Sequence, residues 1–114
     1  MDIEKKITVG PTDTDSYNII HHPQYFVWVE EAILQWLLSS YGSMENIRYE
    51  VSKFHCKFIS PGLLYDTLLL RMLPKNRKSN ATEETVKFQV KIINDKTKAP
   101  VIEADFFVNI KGIA

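Results

Sequence analysis

The sequence predicts an α+β domain in which one long helix packs on an antiparallel sheet of about five strands. Two patterns carry this prediction. Apolar residues recur every three or four positions between Tyr25 and Trp36, as on a helix with one buried face. Further along, apolar and polar residues alternate in several short stretches, as in strands with one wet face. A two-layer arrangement buries both the helix stripe and one face of the sheet.

Length and composition indicate a single domain that spans residues 1–114, because 45% hydrophobic content is enough for one core. Fourteen Lys and Arg residues balance 14 Asp and Glu residues, so no global field recruits nucleic acid or an anionic membrane. The single cysteine, Cys56, excludes an internal disulfide framework. No leader and no apolar run long enough to span a bilayer is seen, and we expect a cytoplasmic location.

The first strand is predicted over residues 2–9, where Ile3, Ile7 and Val9 fall on alternate positions. Pro11 then ends the ladder. The long helix is predicted over residues 23–40, because Pro23 suits a first helical turn and Gly42 suits a helix end.

After a connector at residues 43–48, Phe54, Cys56 and Phe58 alternate with polar residues and predict a second strand. Residues 65–73 predict a third strand. The stretch 74–82 is dense in Lys, Arg, Asn and Ser and predicts a hairpin loop.

Two further strands are predicted at the end of the chain, where apolar residues alternate over residues 86–92 and 102–110. A turn at Asn94-Asp95-Lys96 separates them, so we expect them to pair as a hairpin.

A polar run from Asp13 leads directly into the predicted helix at Tyr25, and Asp15 lies where it cannot easily be core. Its carboxylate is therefore expected near the first helical turn. Unpaired N–H groups and the positive end of the helix dipole stabilise developing negative charge there, which an oxyanion site requires. The alternative is that Asp13 or Asp15 only forms a turn or caps a helix.

This segment resembles the signature of hotdog-fold thioesterases, above all the 4-hydroxybenzoyl-CoA thioesterase family. The resemblance rests on Asp15, Ile19, Ile20, His22, Tyr25, Trp28, Glu30 and Ala32. It covers nearly the whole chain, because Pro61-Gly62 and Asp66 resemble the family's turn between its second and third strands. It implies a curved sheet wrapped around a central helix. Where many members have glycines after the aspartate, this chain has Tyr17 and Asn18.

The resemblance also implies roles for individual residues. Asp15 is expected to supply the catalytic carboxylate. It acts either as a nucleophile that forms a mixed anhydride or as a base for water, and both routes stay open. His22 is expected to present its backbone N–H to the thioester oxygen while its ring shapes the pocket; the alternative is an ordinary surface histidine. The expected substrate-binding residues around them are Tyr17, Asn18, Tyr25, Pro61 and Gly62.

Three basic residues, Lys75, Arg77 and Lys78, make the densest local cluster of positive charge. One interpretation is a solvated hairpin loop. The other is a contact with the phosphates of CoA or with an acidic carrier protein.

A metal site built from His21, His22 and His55 is disfavoured, because adjacent residues point in different directions and no zinc-like spacing completes the set. We therefore expect neither a metal nor a redox cofactor.

Glu30 is a back-up candidate for the catalytic acid, although it and Glu31 are more typical of solvated helix positions. Cys56 alternates with two phenylalanines and is interpreted as a small buried hydrophobe. Four aromatic residues can line an aromatic-acyl pocket or simply form core: Tyr25, Phe26, Trp28 and Trp36.

The resulting hypothesis is an acyl-CoA thioesterase. Two alternatives stay open, namely a thioesterase acting on acyl-ACP or polyketide chains, and a non-catalytic hotdog module that binds acyl-CoA. Hotdog dehydratases are disfavoured, because no His-Asp pair occurs in their characteristic setting. The resemblance also implies a homodimer, or a tetramer of dimers, with the acyl pocket at the subunit interface.

Overall fold

The computed structural model describes residues 2–112, which form one helix and five strands. In chain order the elements are β1 (Ile3–Thr8), a short 3-10 turn (Pro11–Asp13), α1 (His22–Tyr41), β2 (Arg48–Phe58), β3 (Thr67–Ser79), β4 (Glu83–Asn94) and β5 (Pro100–Lys111). All strand pairs are antiparallel, and the order across the sheet is β1-β3-β4-β5-β2. The predicted α+β architecture, one helix on a curved antiparallel sheet, is confirmed.

Helix α1 is 20 residues long and buries one stripe of side chains against the sheet. Pro23 lies in its first turn, where a missing N–H costs nothing. Gly42 ends it in the left-handed region, with φ of 75°, and donates its N–H to the Leu38 carbonyl at 2.9 Å. The helix is one residue longer at each end than the sequence predicts.

The concave face of the sheet supplies the other half of the core. Alternate residues of β3, β4 and β5 point inward and are buried, among them Leu68, Leu70, Val90 and Ile92. The indole of Trp36 meets the Phe88 ring edge-on, with centroids 5.0 Å apart. The alternation predicted for β4 and β5 is therefore confirmed, and their hairpin turns at Asn94, whose side chain accepts two backbone N–H groups.

The loop predicted at residues 74–82 is wrong, because β3 continues through Ser79 and pairs with β4 as far as Glu84. Only residues 80–82 turn, and the Asn80 side chain accepts N–H groups there. Strand β1 pairs with β3 only up to Met72, so Pro74 lies beyond the end of β1. The N–H group that proline lacks therefore has no partner in β1 to lose. Backbone pairing with β4 holds this polar segment in the sheet.

The Arg77 side chain is 46% exposed, and its guanidinium joins a partly buried cluster at the end of the concave face. Glu84 is 6% exposed and accepts two hydrogen bonds from the Arg77 guanidinium, at 2.8 and 3.1 Å. The Tyr41 hydroxyl donates to the same carboxylate at 2.6 Å, and Arg77 lies over the Trp36 ring at 4.9 Å. This cluster ties the last turn of α1 to the β3–β4 hairpin.

We expect Arg77→Met to lower the free energy of unfolding by about 1–3 kcal/mol, because the buried Glu84 loses its charged partner. Urea denaturation measures the change. Lys75→Met is the matched control on the same strand: Lys75 is exposed, and the substitution should change stability by less than about 0.5 kcal/mol. Equal losses in both variants would contradict a specific role for the cluster.

Candidate active site

The Asp15 carboxylate lies in a loop that is held by its own backbone. Its Oδ1 atom accepts the N–H groups of Tyr17 at 2.8 Å and Ile19 at 3.2 Å. The Asp15 N–H donates to the Ile19 carbonyl at 2.9 Å, and the Asn18 N–H donates to the Asp15 carbonyl at 3.0 Å. The carboxylate is exposed, and within residues 2–112 its Oδ2 atom accepts no hydrogen bond. One oxygen is thus fixed, and the other is available to a bound molecule.

Asn18 makes this tight loop possible, because its φ of 61° lies in the left-handed region that asparagine tolerates. Its carbonyl accepts the Leu64 N–H at 2.9 Å. Tyr17 precedes it with a side chain that is 81% exposed. The expected substrate-binding pair therefore lies at the surface beside Asp15, where Tyr17 can contact a bound molecule and Asn18 shapes the backbone.

The start of α1 follows directly. His21 precedes the helix in an extended conformation, and no side chain caps this end. The His22 N–H is a first-turn donor that has no acceptor inside the helix, and none is found for it elsewhere in residues 2–112. A free donor at the positive end of a 20-residue helix is therefore available to an anionic oxygen.

The His22 ring stacks on Phe58 of β2, with centroids 3.8 Å apart and planes inclined by 6°. Behind this pair lies a cleft of about 250 Å³, which Ile19, Ile20, Tyr25, Ser60 and Pro61 also line. The structure therefore brings together four of the predicted site residues, namely His22, Tyr25, Pro61 and, through the wall of the cleft, Gly62.

Gly62 locks the Asp15 loop to the helix. Its carbonyl accepts the Ile20 N–H at 2.9 Å, and its N–H donates to the Tyr25 hydroxyl at 3.2 Å. A Cβ atom at this position would lie 2.4 Å from Ile20 Cδ1 and 2.9 Å from the Tyr25 oxygen, so only glycine fits. Burial raises the pKa of Tyr25 above its ordinary value, against the opposing effect of the Gly62 N–H, so this hydroxyl stays neutral.

The three basic residues all lie on β3 and are exposed. Arg77 pairs with Glu84, whereas Lys75 and Lys78 form no ion pair within residues 2–112. Lys78 borders a cavity of about 300 Å³ on the outer face of the sheet, together with Lys53 and Lys87.

Sequence reasoning missed two partnerships between α1 and β2. Local alternation predicts that Phe58 lies in a strand but does not predict that its ring stacks on His22. That contact follows from the way in which the fold brings β2 beside the start of α1. Glu30 accepts a hydrogen bond from the Tyr49 hydroxyl at 2.9 Å, although 19 positions separate the two residues. The only available signal was the position of Glu30 on the His22 face of the helix.

No three His, Cys, Asp or Glu side chains come together to hold a metal ion in the part of the chain from 2 to 112. Within the same residues, no helix is long and apolar enough to cross a membrane.

Solved structures with the same architecture confirm the fold class. A probable thioesterase from Bartonella henselae superposes with a TM-score of 0.78 at 15% identity, covering 96% of this chain and 89% of its own. A 1,4-dihydroxy-2-naphthoyl-CoA thioesterase from Synechocystis gives 0.77 at 16% identity, covering 100% and 85%. A hypothetical thioesterase from Streptococcus pneumoniae, solved with coenzyme A, superposes with a TM-score of 0.76 at 17% identity, covering 98% of this chain and 80% of its own. This protein therefore has the hotdog fold, as its resemblance to that class implies.

The family follows from the sequence itself. Residues 17–100 match the model of the thioesterase superfamily, and the chain belongs to that family. No curated protein matches it in sequence.

We expect Gly62→Ala to disrupt the lock between the Asp15 loop and α1, because the added methyl group overlaps Ile20 and the Tyr25 hydroxyl. Overpacking of this kind costs about 1–3 kcal/mol, which thermal and urea denaturation measure. Gly10→Ala is the matched control, since a Cβ atom there meets only Asp13 Oδ2 at an ordinary 3.6 Å. Ile20→Val removes the nearest clashing carbon and should partly rescue the Gly62 variant; failure of this rescue would contradict the steric explanation.

Proposed function

We propose that the protein hydrolyses an acyl-CoA thioester with Asp15 as its catalytic acid. Membership of the thioesterase superfamily supports thioester hydrolysis as the chemistry. The observation that carries the assignment of Asp15 is its carboxylate, fixed by two backbone N–H groups in the loop that leads into α1. This oriented acid lies a few residues before an unpaired helix N–H, which is the pair of groups that the reaction requires.

In this mechanism the thioester carbonyl oxygen accepts the His22 N–H, where the helix dipole stabilises the developing negative charge. Asp15 either removes a proton from an attacking water molecule or attacks the carbonyl carbon itself. The carbon–sulfur bond then breaks and the thiolate of CoA leaves; in the first route it takes up the proton that Asp15 removed from water, which restores the Asp15 carboxylate. In the second route, water hydrolyses the mixed anhydride and restores the Asp15 carboxylate. Both routes give a carboxylic acid and CoA thiol.

The nucleotide end of the substrate would lie far from this carbonyl. The neighbour from Streptococcus pneumoniae was solved with coenzyme A, which supports CoA as the carrier. Of Lys75, Arg77 and Lys78, the two lysines are exposed and form no ion pair in the described chain, so they can meet its phosphates, whereas Arg77 is paired with Glu84. We therefore assign phosphate binding to the two lysines.

Strand β2 supports the proposal that two copies associate. It lies at the edge of the sheet, spans 11 residues and is unpaired on its outer side in the described chain. Phe54 is 51% exposed and Phe58 is 40% exposed, which is unusual for aromatic residues beside a candidate pocket. An open edge of this length is a template for pairing with another chain. A second copy on β2 would extend the sheet and cover the pocket, in a dimer or in a tetramer of dimers.

Asp15→Asn should lower kcat/KM for acyl-CoA hydrolysis by about 100- to 10,000-fold while it keeps the fold, because the amide can neither take a proton nor attack. A thiol-release assay over an acyl-CoA panel measures this. Asp13→Asn is the control with the same chemical change. It should lose far less activity, because the Asp13 carboxylate has no role in the proposed chemistry and instead accepts the Gly10 N–H, at a distance of 2.8 Å. Comparable losses in both variants, or none at Asp15, would overturn the assignment.

Replacing both Lys75 and Lys78 by Met should raise KM for acyl-CoA and leave kcat nearly unchanged, because remote charges bind substrate and transition state alike. The same acyl group on N-acetylcysteamine lacks the nucleotide, so its kinetics should not respond. A loss of kcat, or an equal loss on the short thioester, would contradict phosphate binding at these lysines.

A further inference from the structure

One face of α1 and the inner row of β2 form a continuous seam that starts at the candidate active site. Three side-chain contacts cross it. The ring centroids of His22 and Phe58 lie 3.8 Å apart, and those of Phe26 and Phe54 lie 4.9 Å apart. The Tyr49 hydroxyl donates to Oε1 of Glu30 at 2.9 Å. The helix members are four residues apart and therefore lie on one face. At a rise of 1.5 Å per residue, the helix side of the seam is about 12 Å long.

A cavity lies toward each end of the seam, and the aromatic pairs between them leave apolar surface exposed, since Phe54 is 51% exposed and Phe58 is 40% exposed. The cleft at the His22 end measures about 250 Å³. Beyond it, a cavity of about 570 Å³ is lined by six apolar residues, namely Phe26, Val29, Ile33, Val51, Phe54 and Phe106. An elongated apolar group that starts at the proposed oxyanion donor can lie along this exposed apolar surface toward the second cavity.

The far end of the seam is polar, in contrast to its apolar middle. Glu30, Tyr49 and Glu50 line the same cavity there. Burial, reinforced by the neighbouring Glu30 carboxylate, raises the pKa of Tyr49 to about 12, so its hydroxyl remains a donor. Tyr49 contacts Oε1 of Glu30, and the remaining acceptor capacity of this carboxylate is available to a second donor.

We propose that Glu30 and Tyr49 form the far end of an acyl-binding groove and select acyl groups whose tip carries a hydroxyl. This inference rests on the proposed thioesterase function. A hydroxyl tip donates to the Glu30 carboxylate in a charge-assisted hydrogen bond. A methyl tip leaves that carboxylate partly desolvated without a new partner, and a carboxylate tip meets the like charges of Glu30 and Glu50. An ammonium tip would lose its hydration along the apolar part of the groove.

The test compares three thioesters that differ only at the tip: octanoyl-CoA, ω-hydroxyoctanoyl-CoA and the ω-carboxylated CoA thioester of the same chain length. We expect kcat/KM to be about tenfold higher for the hydroxyl tip than for the methyl tip, and lowest for the carboxylate tip. Glu30→Gln should reduce the hydroxyl preference to less than about threefold and raise the relative rate on the carboxylate tip.

In Glu30→Gln, the ratio of kcat/KM for the hydroxyl tip to that for the methyl tip should fall, while the ratio for the carboxylate tip to the methyl tip should rise. General structural damage does not move these two ratios in opposite directions. Glu31→Gln is the matched control, because it removes the same charge from the adjacent position, where Glu31 pairs with Lys5 outside the groove. Both ratios should stay as in the unaltered protein.

The outcomes separate this inference from the proposed function. If no acyl-CoA of any length is hydrolysed, the thioesterase function fails. If hydrolysis occurs but the tips are not distinguished, or Glu30→Gln leaves the ratios unchanged, only the groove assignment is overturned. Sedimentation of the same variants adds a further outcome: a change of association state with unaltered ratios would show that a second copy, not the acyl group, covers the seam.

Discussion

The structure depends on the burial of one stripe of α1 inside the concave face of the sheet. Trp36 and Phe88 meet at the centre of this interface, and both are completely buried. Burial of large aromatic side chains is among the strongest contributions to a core of this size. Because the middle and end of the helix are fixed in this way, its first turn is also fixed and projects its free N–H beside β2. The position of the candidate oxyanion donor is thus a consequence of packing more than ten residues away.

The segment around Gly62 connects that rigid helix to the reactive loop. Ile20 and Gly62 exchange a backbone hydrogen bond, Asn18 and Leu64 another, and the Tyr25 hydroxyl accepts a third. The first and the third of these bonds depend on a close approach that a side chain at position 62 would prevent, because a Cβ atom there would overlap Ile20 and the Tyr25 hydroxyl. The packing of the core and the orientation of Asp15 are therefore one connected system, joined by a residue that has no functional group of its own.

Sequence patterns predicted the elements that local physics determines. The three-and-four spacing and the Pro23 and Gly42 signals located α1 to within one residue at each end, and alternation located β4 and β5. The tail of β3 was missed because its polar side chains follow loop statistics, whereas its conformation is set by pairing with β4. The pairing of Arg77 with Glu84 could not be predicted either, since it joins residues on opposite sides of the hairpin.

Within the site, the structure shows the turn-forming role named for Asp15, since its carboxylate accepts two backbone N–H groups of its own turn, and its catalytic role stays a prediction. The contacts of His22 with Phe58 and of Glu30 with Tyr49 join residues that are distant in sequence, so no local pattern encodes them.

The way in which Asp15 is held has a consequence for sequence divergence. Its two hydrogen-bond donors are main-chain N–H groups of Tyr17 and Ile19, and every residue except proline supplies such a group. The side chains at these positions are therefore free to change over generations while the carboxylate keeps its orientation. Tyr17 illustrates this freedom, because its side chain is 81% exposed: a different side chain here would change the surface beside Asp15 without removing the N–H group that holds the carboxylate.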